Sequence, residues 1–234
     1  MKKTILAAAL VAAFAPTFAM AEAGDWVVRA RVVDVSPNED SKLGSTVNNL
    51  GLGAIMSPGA ELAVDSNVIP ELDISYYFTK NISAELILAF GTRHDVSVKG
   101  DALATVGNQP LGSVNVLPPT LTAQWHFMPD QTIDPYIGAG VNYTHSFDRS
   151  LKFSKNALAG NDIRVDSNMF GLVAQAGVDI NLKDGWLINA DVKYVTMNTD
   201  VEARLGAGNT GAWTKIDNLD INPWVFGIGI GKKF

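Results

Sequence analysis

Beyond residue 21, apolar residues fall at every second position through eight separate segments of this 234-residue chain. A period of two belongs to strands with unlike faces and does not fit a helix. Segment two places Leu72, Ile74, Tyr76 and Phe78 on one face, with Asp73 and Ser75 between them. Segment three sets Ile82, Ala84, Leu86, Leu88 and Phe90 against Ser83, Glu85, Gly91 and Arg93. Segment four sets Leu117, Pro119, Leu121, Ala123, Trp125 and Phe127 against Thr120, Thr122, Gln124 and His126. The last four segments cover residues 133–144, 170–181, 186–194 and 224–231. The first, residues 25–35, is less regular, because Val27 and Val33 join the face that carries Arg29 and Arg31. Most segments have about ten residues, the length a tilted strand needs to cross a bilayer.

The connections alternate as well. Residues 79–81, 128–132 and 183–185 are tight turns, whereas 36–67, 99–112, 146–167 and 199–218 are long. Short turns on one side, long loops on the other and an even strand count define an outer-membrane layout. The expected fold is therefore all-β: an eight-stranded antiparallel transmembrane β-barrel with short periplasmic turns and long extracellular loops. Aromatic residues mark both rims. Trp26, Phe78, Trp125, Trp186 and Phe234 lie near the short-turn ends, and Phe90, Tyr143, Phe170, Tyr194 and Trp224 near the others. Two such girdles sit at the two lipid–water interfaces of a closed barrel. A soluble barrel of the lipocalin type would turn its apolar face inward and leave the paired girdles unexplained.

Composition narrows the alternatives. No apolar run reaches 18 residues, which excludes a bundle of membrane-spanning helices. A net charge of −6 without any Lys/Arg cluster argues against nucleic acid as a partner. With no cysteine there are no disulfides, thiol nucleophiles or thiolate metal sites. Lys2 and Lys3, an apolar stretch over residues 5–15, Pro16 and Ala19-Met20-Ala21 read as a secretory signal. That assigns residues 1–21 to a removed address and residues 22–234 to the barrel.

If the apolar faces meet lipid, the opposite faces line the lumen. That inward set is Arg29, Arg31, Glu71, Asp73, Glu85, Gln124, His126, Asp179, Asp191 and Lys193. Eight strands leave an interior that side chains just fill, so mixed charges there predict an ion-paired plug in the lower lumen. Gly138, Gly140 and Gly171 also point inward by parity and predict spare room above the plug. The first long loop is unusually apolar, with Leu43, Leu50, Leu52, Ile55, Met56, Leu62 and Val64. The third adds Leu151, Phe153, Ala157, Leu158 and Ile163. Either these residues form an apolar entrance, with Leu50, Leu52, Ile55, Met56 and Leu62 its core, or they pack against one another. Pro118 and Pro119 stand inside segment four, where proline gives no N–H to a ladder. They mark either a lateral opening from lumen to membrane or a bulge that sets curvature.

Chemistry has few candidates. His94, His126 and His145 are the only histidines. Parity turns His94 toward lipid and His126 inward, and it brings no nucleophile, base and orienting acid together. The histidines are isolated, so no metal spacing exists and no cofactor is implied.

Several stretches resemble the outer-membrane protein W (OmpW) family. They are Leu117-Pro118-Pro119-Thr120-Leu121 with Gln124-Trp125, and Pro135-Tyr136-Ile137-Gly138-Ala139-Gly140-Val141-Asn142-Tyr143. Trp186-Leu187-Ile188-Asn189, Pro223-Trp224-Val225-Phe226 and Phe234 continue the match, which spans residues 24–234 and is weakest in the first loop. Lys232 replaces a usual aromatic and Asn222 an expected Asp. The resemblance implies an outer-membrane barrel that passively admits small hydrophobic molecules past its extracellular loops and releases them sideways into the bilayer. By position, Pro118 and Pro119 match the family's strand break. Implied partners are outer-membrane lipid and lipopolysaccharide, small hydrophobic solutes, and the barrel-insertion machinery through Phe234. The alternatives are a structural or adhesive barrel without transport and, less favoured, a lipid-modifying enzyme on the same scaffold.

Overall fold

The computed structural model describes residues 22–51, 55–149 and 151–234. The signal segment, residues 1–21, and Leu52 lie outside the described residues. Eight long strands form the wall: β1 Trp26–Ser36, β2 Asn67–Tyr77, β3 Ile82–Ala89, β4 Thr120–His126, β5 Ile133–Asp148, β6 Asn168–Asn181, β7 Trp186–Val195 and β8 Trp224–Lys233. Neighbours pair antiparallel around the ring, and pairing of β8 with β1 and of β5 with β6 leaves no edge between first and last strands. Closure satisfies the backbone polar groups that hydrocarbon cannot hydrate.

Alternation decides what each face meets. Val32, Leu121, Ile137, Val141, Leu172, Phe226, Ile228 and Ile230 are all more than half exposed on the outer wall. An apolar band of this extent suits lipid and not water. Between these positions Arg29, Asp73, Glu85, Gln124 and Asn189 are buried inside. The arrangement excludes the lipocalin-type alternative. Aromatic rings pair along both rims: Trp26 with Tyr76 at 4.9 Å near the short turns, Tyr143 with Phe170 at 4.9 Å and Tyr194 with Trp224 at 4.8 Å near the loops. At the short-turn rim the Lys232 ammonium reaches the Asp184 carbonyl and lies 5.4 Å from the Trp186 ring, so its stem crosses the apolar surface while its head stays polar.

The long connections are not simple loops. A hairpin of Thr92–Lys99 and Gln109–Leu117 continues the wall outward, with Glu61–Val64 added at its edge. Leu151–Lys152, Asp162–Val165, Asn198–Arg204 and Trp213–Asp220 form a second, four-stranded sheet. With helix α1, Leu43–Asn49, these pieces enclose an apolar core of their own that includes Leu43, Val47, Met56, Val98, Phe153 and Ile216. The result is a folded extracellular cap. Asp101 ties its loops, accepting backbone N–H bonds from Ser57 at 2.9 Å, Leu103 at 3.0 Å and Gly107 at 2.9 Å. Burial pushes this carboxyl up, but the three N–H donors outweigh it and hold it below its ordinary range.

Two readings of the sequence need correction. Gly138, Gly140 and Gly171 do not supply room: a Cβ on Gly140 would strike the Leu121 carbonyl oxygen, and one on Gly171 the Thr196 carbonyl oxygen. These glycines let adjacent backbones approach where the small barrel curves tightly. His94 does not face lipid. One extra residue near Gly91 shifts the register between the lower and upper parts of this wall, so Ile87 pairs with Thr120 but Thr92 pairs with Val116. A single inserted residue exchanges the faces, and His94 turns to the inner side, its Nδ1 3.0 Å from the Asp65 carbonyl oxygen.

The glycine contacts give a direct test. Gly140→Ala is expected to lower stability by about 1–3 kcal/mol through overpacking, read as a lower urea midpoint in lipid vesicles. Gly59→Ala, where a Cβ meets nothing within 4 Å, should leave the midpoint unchanged.

Candidate functional site

The lower lumen is closed by charge. Arg29 donates to Glu85 at 2.9 Å, Asp179 at 2.6 Å and Ser75 at 2.7 Å. One pleat higher, Arg31 pairs with Glu71 at 3.0 Å, Asp73 at 3.1 Å and Asp191 at 2.5 Å. Lys193 completes this upper tier, 3.1 Å from both Glu71 and Asp191. Gln175 bridges the tiers by donating to Glu85 at 3.0 Å and to Asp191 at 2.7 Å, and Gln124 donates to Glu85 at 2.7 Å. β1 supplies both arginines because it alternates Arg with small or branched apolar residues, which face lipid. All eight charged residues expected in the lumen, Arg29, Arg31, Glu71, Asp73, Glu85, Asp179, Asp191 and Lys193, are buried here.

Below the arginines the plug holds a group that sequence reading missed. Ser83, His126 and Asp134 lie together, with His126 Nδ1 2.7 Å from Asp134 Oδ2 and Nε2 3.4 Å from Ser83 Oγ. Parity alone brings no such trio together, because the stagger between strands cannot be read from one sequence. The arrangement is nonetheless poorly disposed for nucleophilic chemistry. Ser83 Oγ donates to Gln124 Oε1 at 3.0 Å, His126 Nε2 lies nearer to Tyr77 Oη at 3.1 Å, and the trio is buried. Tyr136 packs on His126 at 5.0 Å and accepts from Asn189 at 3.0 Å. Strict alternation with Asp134 was the available signal for Tyr136.

Above Glu71 and Lys193 the lumen changes character. A cavity of about 140 Å³ runs from that charged floor to the underside of the cap. Its wall is mostly apolar, with Ile69, Val114, Leu151, Met169 and Val225 among the lining residues. Of the four described residues considered for an apolar entrance, Leu50, Ile55, Met56 and Leu62, it is Leu62 that lines this cavity. Met56 is wholly buried in the cap core, Ile55 packs against that core, and Leu50 is 38% exposed.

One side of the cavity wall is interrupted. The β3–β4 ladder ends at Ile87↔Thr120 and pairing resumes only at Thr92↔Val116. Between them residues 88–91 and 117–119 have no ladder pairs with each other. Pro118 and Pro119 cannot donate N–H groups across this seam. Their carbonyls turn the other way: Pro119 accepts from Tyr143 N–H at 3.0 Å and Pro118 from Asn142 Nδ2 at 3.2 Å. Ala89, Thr92, Val116, Pro118 and Thr120 carry the cavity lining to the seam, while Phe90 and Leu117 flank it on the lipid side, 48% and 44% exposed.

A closed barrel with a lipid-facing apolar band, aromatic rims and a folded extracellular cap is an outer-membrane protein. The profile of the OmpW family matches residues 22–234, and the chain belongs to that family. It is similar to outer membrane protein W of Vibrio cholerae serotype O1, 37% identical with all of both chains covered. Among solved structures it is similar to the outer membrane protein OprG from Pseudomonas aeruginosa, with a TM-score of 0.77, 31% identity, and 93% of this chain and 99% of that one covered. It is also similar to the outer membrane protein AlkL in lipid bilayers, with a TM-score of 0.62, 26% identity, and coverage of 94% and 95%.

The plug makes a quantitative demand. Arg29→Met leaves Glu85 and Asp179 buried without their cation and is expected to cost about 3–5 kcal/mol, measured by urea unfolding in lipid. The triple variant Arg29→Met, Glu85→Gln, Asp179→Asn should recover most of that loss, since it removes both stranded charges with the cation.

Proposed function

We propose that this barrel is a passive conduit for small hydrophobic molecules, which enter beneath the extracellular cap and leave sideways into the outer membrane. The observation that carries this reading is the coincidence of the seam with the cavity wall. An apolar chamber lies above a floor of paired charges, and the interruption of its ladder beside Pro118 and Pro119 is flanked by the lipid-facing Phe90 and Leu117. A solute without charge has little to gain from the ion-paired tiers below, where its entry would strip hydrogen bonds from buried groups. Ala89, Val116 and Pro118 on the chamber side and Phe90 and Leu117 on the lipid side give the sideways path apolar surface.

Leu62 lines the chamber and, of the described residues Leu50, Ile55, Met56 and Leu62, best fits a contact on the path. Met56 and Ile55 serve it indirectly by holding the cap in shape. Pro118 and Pro119 keep the seam unpaired, and the tiers of Arg29, Arg31, Glu71, Asp73, Glu85, Asp191 and Lys193 block the alternative exit. Outer-membrane lipid is the receiving phase.

Uptake of a labelled small apolar solute by cells carrying the protein tests this, against cells with an equal amount of an unrelated, filled eight-stranded barrel. Faster uptake than the control is expected. Pro118→Ala with Pro119→Ala restores two N–H donors and should abolish most of the excess while leaving the heat-modifiable gel shift of the folded barrel intact. Unchanged flux in that variant would remove the lateral route. Equal uptake in wild type and control would favour a structural or adhesive role for the cap.

A further inference from the structure

The chamber is not apolar throughout. On β5 the inward residues Asn142, Thr144 and Ser146 form a row of polar side chains, and all three line the chamber. The lower two are committed to each other and to the seam. Thr144 Oγ1 donates to Asn142 Oδ1 at 2.7 Å, and Asn142 Nδ2 donates to Thr120 Oγ1 at 2.8 Å and to the Pro118 carbonyl at 3.2 Å. Ser146 is different. It is 2% exposed, and its Oγ has no hydrogen-bond partner among the described residues. A buried hydroxyl left unpaired is costly until some group pairs with it.

We propose that the chamber selects apolar molecules bearing one neutral oxygen, as in a medium-chain alcohol or ketone, and that Ser146 pairs with that oxygen. This rests on the reading of the chamber as a solute path. The serine hydroxyl both donates and accepts, so it suits a carbonyl or a hydroxyl equally. A carboxylate fits poorly: it would give up its hydration inside an apolar wall, and the nearby cation Lys193 already pairs with Glu71 and Asp191 at 3.1 Å. Successive members of the row stand about 7 Å apart along the strand, and the row leads from Ser146 down to the seam. A solute oxygen can exchange one partner for the next as its hydrocarbon tail slides along the opposite wall.

The test uses the full barrel in lipid nanodiscs, with displacement of an apolar fluorophore as readout and empty nanodiscs subtracted. Octanol, 2-octanone and octane are titrated. Wild type is expected to bind octanol and 2-octanone more tightly than octane after correction for lipid partitioning. Ser146→Ala should weaken the two oxygenated ligands about three- to tenfold, the size of one net hydrogen bond, and leave octane unchanged. Ser146→Thr should restore most of the loss. Equal effects of Ser146→Ala on all three ligands, or none on any, would overturn the role of Ser146 while leaving the chamber a binding site. Failure of all three to displace the fluorophore from wild type would instead defeat the solute-path reading itself. The heat-modifiable gel shift confirms folding of each variant.

Discussion

The pairing of Arg29 and Arg31 with the carboxylates around them is the constraint on which the rest of this molecule depends. An eight-stranded wall encloses a lumen only one or two side chains wide, and whatever points inward must be matched there. β1 points two guanidiniums inward, each able to serve several acceptors in a fixed fork. Glu85 and Asp179 answer the first; Glu71, Asp73 and Asp191 answer the second. Once those contacts exist, the lower half is closed, and the strands that supply the partners cannot slip in register without stranding a buried charge.

A closed floor gives the upper half its character. The chamber has paired charge beneath it, a cap with its own apolar core above it, and a wall whose ladder is interrupted at the seam beside Pro118 and Pro119. The prolines alone would not open the wall, because a barrel strand pairs on two sides. On the β5 side the strand keeps its bonds through the Pro118 and Pro119 carbonyls. The loss is confined to the β3 side, where the extra residue near Gly91 also breaks the register. Two local irregularities thus fall opposite one another and make one gap.

Much of this was legible in the sequence. Strict alternation separates the buried Arg29, Asp73, Glu85 and Lys193 from the lipid-facing residues because a strand's faces exchange every residue. The aromatic rims and the short turns were visible for the same reason. Legibility ended where alternation does. Parity turns His94 outward because it carries the alternation straight across Gly91, whose φ of 71° admits an inserted residue, and a single insertion exchanges every later side chain. Gly140 and Gly171 looked like space, since parity gives direction but not the distance to the neighbouring backbone. Glu61–Val64 and Asp162–Val165 read as loops because they have four residues each and pair with Val96–Lys99 and Val201–Ala203, some 32 to 40 residues away. Ser83, His126 and Asp134 could not be brought together without the stagger between β3, β4 and β5. For the unpaired hydroxyl of Ser146, the sequence offers no signal at all.

The central claim is that a solute reaches the chamber and the seam but not the plug. Photolabelling the barrel in lipid with a diazirine-bearing small hydrocarbon, then mapping the adducts by mass spectrometry, tests it most directly. The expected result is labelling of chamber and seam residues such as Leu62, Val116 and Pro118, competed by unlabelled hydrocarbon, with none on Ser75, Gln124 or Tyr136. Competed labelling of Gln124 or Tyr136, below the floor of Glu71 and Lys193, would contradict it and show that the path runs through the barrel rather than out of its side.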